Sequence, residues 1–312
     1  MNKKISVALI GYGYWGQKLF RVLSSHEDFS FHHCVDSSFK KNKTIKKNGN
    51  SIVYSTNTDA VFSDSTIDAV IVATPFATHY PLVKGALLSK KHVLVEKPMV
   101  KYEKEAKEII SLALKEKKTL MVDHTFLYDD AILLIKKYIH SPKFGELEAF
   151  YATHEQYGPF YKGESVVWDL GVHDVSLARF FFEREPVSVE SQHEYSHIDE
   201  KSILSQFHLK FSKHQHAFVR VSWVSPEKRR ELTLIGTKAI ITYNPVKSDM
   251  LFWYERKNSV LSQQKIFFDR KETLISVLSH FAKSIRSHTS PLTDGEEGLK
   301  TIQILQKLDS LE

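Results

Sequence analysis

The sequence predicts an α/β protein in which a doubly wound parallel sheet is followed by an α+β domain built on a mostly antiparallel sheet. Two patterns predict this. Up to Val122, short apolar strands alternate with helical segments, which is typical of parallel sheets with right-handed crossovers. Beyond Val122, strand patterns with one apolar face follow one another, which is typical of antiparallel pairing. A chain of 312 residues has room for two domains of about 150 residues each, and we expect them at 1–122 and 123–312.

The N-terminal half is predicted to alternate strands with helices. Apolar runs bounded by polar or turn residues mark strands at Lys4–Ile10, Phe29–Val35, Ser51–Tyr54, Asp68–Ala73, His92–Val95 and Thr119–Val122. Apolar residues at helical spacing mark helices at Gln17–Leu23, from Thr78 onward, and at Glu103–Lys115. This order brings the carboxyl ends of the strands to one edge of the sheet, where such sheets bind ligands.

The C-terminal half is predicted to be richer in strands. They are expected at Leu147–Gln156, Val187–His193, Ile203–Phe211, His216–Val224, Glu231–Ile235 and Ala239–Tyr243. Helices are expected at Tyr128–Ile139, about Asp169–Phe182, Glu272–Arg286 and Gly295–Leu308, the last capped near Thr293-Asp294.

Composition limits the possible functions. Hydrophobic residues make up 42% and charged residues 26% of the chain, as in globular proteins, and no apolar run approaches a membrane span. The N-terminus lacks a secretory signal, and the single Cys34 excludes an internal disulfide framework, which together predict a cytoplasmic location. The net charge of +6 comes mostly from scattered lysines without a nucleic-acid-binding motif. We therefore expect neither nucleic acid nor membrane as a partner.

A glycine-rich turn follows the first strand directly. It comprises Gly11, Tyr12, Gly13, Tyr14, Trp15 and Gly16, and a helix follows it. Strand, glycines and helix in this order form the dinucleotide-binding (Rossmann) fingerprint. Gly11 makes the turn, Gly13 lets the backbone approach a pyrophosphate, and Gly16 lets helix and strand pack closely. The helix N-terminus would then bind the phosphates.

Asp36 closes the second strand about 20 residues after the last glycine. A carboxylate there binds the adenosine ribose hydroxyls and repels a 2′-phosphate, so NAD is favoured over NADP. Ser37, Ser38 and Lys40-Lys41 keep NADP open, and a turn-forming Asp is the alternative explanation for Asp36.

Glu96, Lys97 and Pro98 end the strand His92–Val95. At the carboxyl end of a parallel strand, an acid and a base can face the crevice in which such sheets bind ligands. The alternative is a solvated ion pair at the surface, as most Glu-Lys pairs are.

Asp169 and His173 form a second candidate pair. They are four residues apart, so an α-helix would place them on one face. An imidazole oriented by a carboxylate can act as a general base. The alternative is an Asp favoured by the helix dipole and a buried, hydrogen-bonded His.

Three motifs carry a family resemblance: Gly11–Gly16, Ala73–His79 and Glu96–Pro98. They resemble the glucose–fructose oxidoreductase/inositol dehydrogenase superfamily (Gfo/Idh/MocA), and the similarity covers nearly the whole chain. The resemblance implies a cofactor site that also contains Thr74, Pro75 and His79. It further implies that Glu96 contacts the nicotinamide-side ribose, that Lys97 lies between nicotinamide and substrate, and that Pro98 follows a cis peptide.

The resemblance also implies the reaction. An Asp-x-Gly-x-His segment supplies substrate-facing acid/base residues in this superfamily, here Asp169 and His173, with either His173 or Lys97 as proton acceptor. The segment Trp168–Asp174, with Met121–Tyr128 upstream, is most similar to the nucleotide-sugar 3-dehydrogenase branch. The implied activity is NAD(P)-dependent hydride transfer between the nicotinamide and a secondary hydroxyl of a sugar, with nucleotide-linked sugars such as UDP-N-acetylhexosamines favoured as substrates.

The chain departs from the common pattern at several positions. Ser176 replaces a frequent Asp, His124 stands in a segment where many members have Asn-x-Arg, and an arginine is missing between Glu155 and Gly163. These departures put the particular sugar in question. A free polyol or inositol-type dehydrogenase, a keto-sugar reductase and a non-catalytic NAD-binding regulator therefore remain alternatives.

Several further residues are candidates for ligand contacts. His124, Trp168 and Tyr157 are expected near the substrate, and the loop aromatics Tyr157, Phe160 and Tyr161 either stack on a ligand or cap the core. Lys228-Arg229-Arg230 reads as a solvated basic turn in preference to a diphosphate site. No metal is expected, because the zinc spacings are absent. From the resemblance we expect a homodimer or homotetramer.

Overall fold

The computed structural model describes residues 3–40, 43–47, 50–161, 164–197, 200–246, 249–257 and 260–309. The chain forms two compact units. The first comprises Met1–Thr125 and Glu272–Ile302, and the second comprises Phe126–Lys271 and Gln303–Glu312.

The first unit contains the predicted parallel sheet. Its strands are β1 (Ile5–Ile10), β2 (Phe29–Val35), β3 (Lys43–Lys47), β4 (Asn50–Ser55), β5 (Ala69–Val72), β6 (His92–Glu96) and β7 (Leu120–Asp123). They are ordered β3-β4-β2-β1-β5-β6-β7, and only the edge strand β3 pairs antiparallel. Its helices include α1 (Tyr14–Leu23), α2 (Thr58–Ser63), α3 (His79–Leu88) and α4 (Glu103–Lys115). The fold-class prediction is confirmed; the short elements β3 and α2 were not predicted.

The central strands are apolar because both faces of the sheet are buried. All four residues of β5 are buried, as are Val7, Ala8 and Leu9 of β1. Since β1, β5, β6 and β7 are parallel neighbours, the residues that follow them lie at one edge of the sheet. This edge carries the glycine turn, Thr74, Lys97 and Asp123.

A C-terminal segment differs from the predicted division at residue 122. Helix α7 (Thr273–Ser287) groups with the first unit, because Phe281 stacks on Phe29 with ring centroids 6.4 Å apart and Arg286 pairs with Asp28. The Thr293 hydroxyl also donates to the Val122 carbonyl at 2.6 Å. These contacts join positions far apart in sequence, which local patterns do not reveal.

The second unit contains a mixed eight-stranded sheet ordered β15-β14-β13-β12-β8-β11-β10-β9. Its strands are β8 (Leu147–Tyr157), β9 (Ser188–Tyr195), β10 (Ser202–Ser212), β11 (Gln215–Ser222), β12 (Val224–Gly236), β13 (Ala239–Tyr243), β14 (Met250–Lys257) and β15 (Val260–Phe267). All pairings are antiparallel except β8 with β11. Strands β14 and β15 were not predicted.

Helices α5 (Asp130–Ile139) and α6 (Val172–Phe182) belong to the second unit, and α8 (Gly295–Asp309) ends in it. A π-helical turn, Val167–Gly171, precedes α6. Among the described residues, no helix is long and apolar enough to cross a membrane.

Candidate functional site

The glycine turn and Asp36 are joined by hydrogen bonds in the first unit. The Tyr12 backbone N–H donates to Asp36 Oδ2 at 2.6 Å. The backbone N–H and hydroxyl of Ser38 donate to Asp36 Oδ1 at 2.9 and 2.5 Å. Burial raises the pKa of Asp36, but these hydrogen bonds outweigh it and hold the pKa below its usual range. Asp36 is therefore an ionised acceptor.

The glycines fit a dinucleotide. A Cβ on Gly16 would collide with the Gly11 carbonyl oxygen, so close packing of helix and strand requires glycine. A Cβ on Gly13 would meet no atom within 4 Å, which leaves its backbone open to a pyrophosphate. Tyr14 is 77% exposed, and the Lys18 ammonium lies over the Tyr14 and Trp15 rings at 4.3 and 4.6 Å from their centroids. With Asp36, these features suit NAD.

His79 connects two turns at the same edge. Its Nδ1 lies 2.9 Å from the Pro98 carbonyl oxygen, and its Nε2 lies 3.0 Å from the Thr74 carbonyl oxygen. His79 is buried, and burial lowers its pKa. Thr74 is further held by the Thr78 hydroxyl at 2.7 Å, whereas Pro75 is exposed. A neutral His79 has one N–H, so it donates to one of these two carbonyl oxygens and packs against the other.

Glu96 and Asp123 form a carboxyl pair beside Lys97. They are register neighbours on β6 and β7, and Glu96 Oε1 and Asp123 Oδ2 are both buried without a hydrogen-bond donor among the described residues, so a proton on one carboxyl group is needed to join them. Burial, followed by the Asp123 charge, raises the pKa of Glu96 well above its usual range. Burial also raises the pKa of Asp123, although Thr125 donates to its Oδ1 at 2.9 Å. The pair therefore retains a proton, with Glu96 as the donor.

The remaining predicted residues of the first unit lie in its strands or directly after them. The Lys97–Pro98 peptide bond is cis, as the resemblance implies. Lys97 is partly exposed, and His124 is 2% exposed next to Asp123. Cys34 is fully buried and burial raises the pKa of its thiol to about 12, so it packs as a small apolar residue.

Asp169 lies in the π-helical turn of the second unit. The Trp223 indole N–H donates to Asp169 Oδ2 at 3.0 Å. A four-residue spacing places two residues on one face only in an α-helix through both, whereas Asp169 lies in the π-helical turn and α6 begins at Val172. Single π-helical turns are frequent at functional sites.

His173 lies in an aromatic cluster. Its ring stacks on Phe126 with centroids 4.3 Å apart and planes 18° apart, and the His154 ring centroid lies 5.9 Å away. His173 retains 9% exposure, whereas His154 has 2%. The cluster restricts the orientation of the His173 imidazole, which a general base requires.

Tyr157 and Trp168 differ in what they can contact. Tyr157 is 74% exposed and packs edge-on against Phe160, and the rings of Phe160 and Tyr161 lie 6.1 and 6.3 Å from Trp223. Trp168 is 5% exposed, and its indole N–H donates to Asp309 Oδ2 at 3.1 Å. Tyr157 therefore offers surface to a ligand, and Trp168 offers little.

Sequence interpretation missed Arg230, His154 and Asp174 as a group. Lys228 and Arg229 are exposed as predicted, but they lie in β12 and not in a turn, because the strand begins at Val224. The Arg230 Nε donates to His154 Nε2 at 3.0 Å. Arg230 shares a strand face with Leu232 and Leu234, so period-two alternation could have indicated its inward direction. Among the described residues, no group of three or more His, Cys, Asp and Glu side chains could hold a metal ion.

Both units match family models. Residues 5–124 match an oxidoreductase family with an NAD-binding Rossmann fold, and residues 132–242 match the C-terminal domain of the same family. The fold, together with the sheet edge that carries the glycine turn and Asp36, defines an NAD-binding oxidoreductase. The chain belongs to the Gfo/Idh/MocA family, which confirms the resemblance.

Several relatives have informative names. The uncharacterized oxidoreductase YdgJ of Escherichia coli is 31% identical over 195 residues, 58% of this chain and 55% of that protein, so the match spans about half of that relative. D-xylose 1-dehydrogenase [NADP(+)] of Haloarcula marismortui is 22% identical, covering 98% of this chain and 91% of that protein.

A third relative, UDP-N-acetylglucosamine 3-dehydrogenase of Acidithiobacillus ferrooxidans, is 22% identical over 78% of each chain. Its solved structure covers 99% of this chain and 98% of its own, with a TM-score of 0.86 and 18% identity. At this identity the structural likeness shows a shared fold.

Proposed function

We propose that this protein is an NAD-dependent oxidoreductase that transfers a hydride between the nicotinamide and a secondary hydroxyl of a sugar carried on a nucleotide diphosphate. The observation that carries the proposal is the edge of the first unit. There, the turn from Gly11 to Gly16, the ionised Asp36 and the Glu96–Asp123 pair lie beside Lys97 at the carboxyl ends of neighbouring strands.

The proton acceptor is proposed to be His173 or Lys97. Oxidation of a secondary alcohol to a ketone releases a hydride from carbon and a proton from the hydroxyl oxygen. The nicotinamide, when bound, supplies the hydride acceptor. His173, stacked on Phe126 at 4.3 Å, has its imidazole orientation restricted, as a proton acceptor requires.

The nucleotide-sugar substrate rests on two supports. Tyr157 exposes a ring beside Phe160, in a loop that packs on the Trp223 that holds Asp169. Such rings can stack on a nucleobase or on the apolar face of a sugar. One relative that covers most of the chain is named a UDP-N-acetylglucosamine dehydrogenase.

The test is NADH formation with a panel of UDP- and dTDP-sugars, free hexoses and inositols, and NADH consumption with the corresponding keto sugars. We expect turnover with a nucleotide sugar and competition by UDP or dTDP. Turnover of free polyols without such competition would favour the polyol dehydrogenase alternative. NAD binding without conversion of any panel member would favour the non-catalytic regulator.

A further inference from the structure

A cavity of about 50 Å³ lies within the second unit, beside the aromatic cluster of His173. Its polar lining comes from Asp129, His154, Asp174, Arg230, Tyr243 and Arg270. Phe126, which stacks on His173, forms part of its wall, together with apolar side chains of α5, α6 and β12. The volume accommodates a few water molecules or one small substituent.

One of its two guanidinium groups is already paired. Arg270 Nη2 lies 3.2 Å from Asp129 Oδ2, and Arg270 Nη1 lies 3.6 Å from Asp249 Oδ1. Asp129 also caps α5 by accepting the Ala131 backbone N–H at 2.9 Å. This ion pair explains both side chains without a ligand.

Arg230 is different. Its Nε donates to His154 Nε2 at 3.0 Å, and its guanidinium carbon lies 5.0 Å from the Phe126 ring centroid. Within the described part of the chain, no hydrogen bond reaches its two terminal nitrogens. Burial lowers the pKa of Arg230, although the charges of Asp174 and Asp169 oppose this. Its terminal N–H groups remain as donors for a ligand.

Further polar atoms at the cavity lack hydrogen bonds within the described residues. The Tyr243 hydroxyl is buried without a hydrogen bond, and Asp174 Oδ2 makes no hydrogen bond of good geometry although His154 lies beside it. Because His154 Nε2 accepts from Arg230, a neutral His154 carries its proton on Nδ1, which lies 3.5 Å from Asp174 Oδ2. Burial lowers the pKa of His154, which favours this neutral form. Buried polar groups of this kind are normally satisfied by water or ligand.

Charge and polarity select the ligand. Two guanidinium groups face two carboxyl groups, so the lining is balanced and an anion would meet the Asp174 carboxyl. The open positions include donors, on Arg230 and Tyr243, and an acceptor, on Asp174. An amide offers both a carbonyl acceptor and an N–H donor. The apolar walls suit a methyl group.

We propose that this cavity binds an acetamido substituent of the substrate, with Arg230 and Tyr243 as donors to its carbonyl and Asp174 as acceptor of its N–H. The inference rests on the proposed function, because it makes the cavity a subsite for a 2-acetamido sugar. Phe126 links the subsite to His173, so a sugar anchored here would lie near the proposed base.

The test compares the binding of UDP-N-acetylglucosamine, UDP-glucose and UDP-glucuronate by calorimetry, with NAD⁺ at saturation. The wild type should bind the acetamido sugar at least about tenfold more tightly than UDP-glucose, since unpaired buried groups penalise the latter. Tyr243→Phe and Arg230→Met should reduce this ratio to below about threefold. Arg229→Met, which changes an exposed neighbour, should leave it unchanged.

Tyr243→Phe removes a single oxygen, so it keeps the test decisive if Arg230→Met does not fold. Equal wild-type affinity for the acetamido and hydroxyl sugars overturns the inference, as does tighter binding of the glucuronate or an unchanged ratio in both variants. Acetamido preference without NADH formation would overturn the proposed activity and leave the subsite standing. NADH formation without the preference would do the reverse.

Discussion

Glu96 and Asp123 end neighbouring parallel strands in register, which brings two buried carboxyl groups together. Burial raises the pKa of both groups, and the Asp123 charge adds to the rise for Glu96. Two carboxylates in contact cannot both ionise without a large penalty, so one proton stays between them. This proton belongs to the same sheet edge as the proposed cofactor site.

Glu96→Gln should therefore bind NAD within about threefold of the wild type, because a neutral amide can still donate to Asp123. Glu96→Ala should weaken binding by about tenfold or more, because it leaves Asp123 unpaired. Fluorescence titration with NADH measures both, with the exposed Glu27→Gln as control. An equal loss of NAD affinity in Glu96→Gln and Glu96→Ala would show that Glu96 acts as an ionised carboxylate.

The pair also sets a dependence on pH. A carboxyl group with a raised folded-state pKa stabilises the fold fully below its ordinary pKa, and this contribution is lost as pH rises through the folded-state pKa. As pH rises, loss of this proton should lower the free energy of unfolding by at most about 1.4 kcal/mol per pH unit. In urea unfolding between pH 5 and 9, the free energy of unfolding of the wild type should fall relative to that of Glu96→Gln as pH rises; parallel curves would contradict the shared proton.

Asp36→Ala should weaken NAD binding by about tenfold or more, because a charged hydrogen-bond acceptor is lost, and should narrow the preference for NAD over NADP. Since hydrogen bonds from Ser38 and Tyr12 hold the pKa of Asp36 below its usual range, NAD affinity should stay constant above about pH 5. Ser37→Ala is the matched control. A variant that discriminates between the cofactors as the wild type does would refute the assignment.

Lys97 and His173 can be separated by kinetics. His173→Ala should lower kcat by about 10²-fold or more with NAD binding intact, and the acidic limb of the pH profile should disappear if His173 takes the proton. If Lys97→Ala shows this behaviour instead, the roles are exchanged. Lys101→Ala changes an exposed lysine and serves as control. Near-normal turnover of Lys97→Ala would assign Lys97 a structural role.

His79→Leu should destabilise the first unit by about 1–3 kcal/mol, because the buried imidazole N–H that donates to one of two backbone carbonyls is lost. Since burial lowers the pKa of His79, the wild type should lose stability as pH falls below the ordinary His pKa of about 6.5, and the variant should lose less. Chemical unfolding at pH 5 and 8 measures this, with the exposed His214→Leu as control. Unaltered unfolding at both pH values would exclude the bridging role.

The outer face of the second sheet is proposed to pair with another copy of the chain. Phe218 stacks on Tyr151 at 5.1 Å and on His208 at 4.6 Å, and these rings remain partly exposed. Light scattering should show the molar mass of a dimer or tetramer. Phe218→Asp should lower the measured molar mass, because a charge buried in the interface opposes association. Leu114→Asp, on an exposed position of α4, should leave the mass unchanged. A monomeric wild type would rule out the pairing.

The sequence by itself determined the class of this protein. The glycine turn, Asp36 and Glu96-Lys97-Pro98 are contiguous motifs whose meaning depends on the strand immediately before them, and each lies where that strand places it. Strand β2 and helix α4 have their predicted bounds, because their periodic burial is a local property.

Only the tertiary structure decided which side chains contact each other. Arg230 meets His154 across 76 residues, Arg270 meets Asp129 across 141, and α7 joins the first unit through Phe29 and Asp28. Alternation along a strand sets which face a residue takes, but the side chain opposite depends on sheet order and register. The Glu96–Asp123 pair exists for this reason: two unremarkable carboxyl groups share a proton because β6 and β7 are neighbours in register.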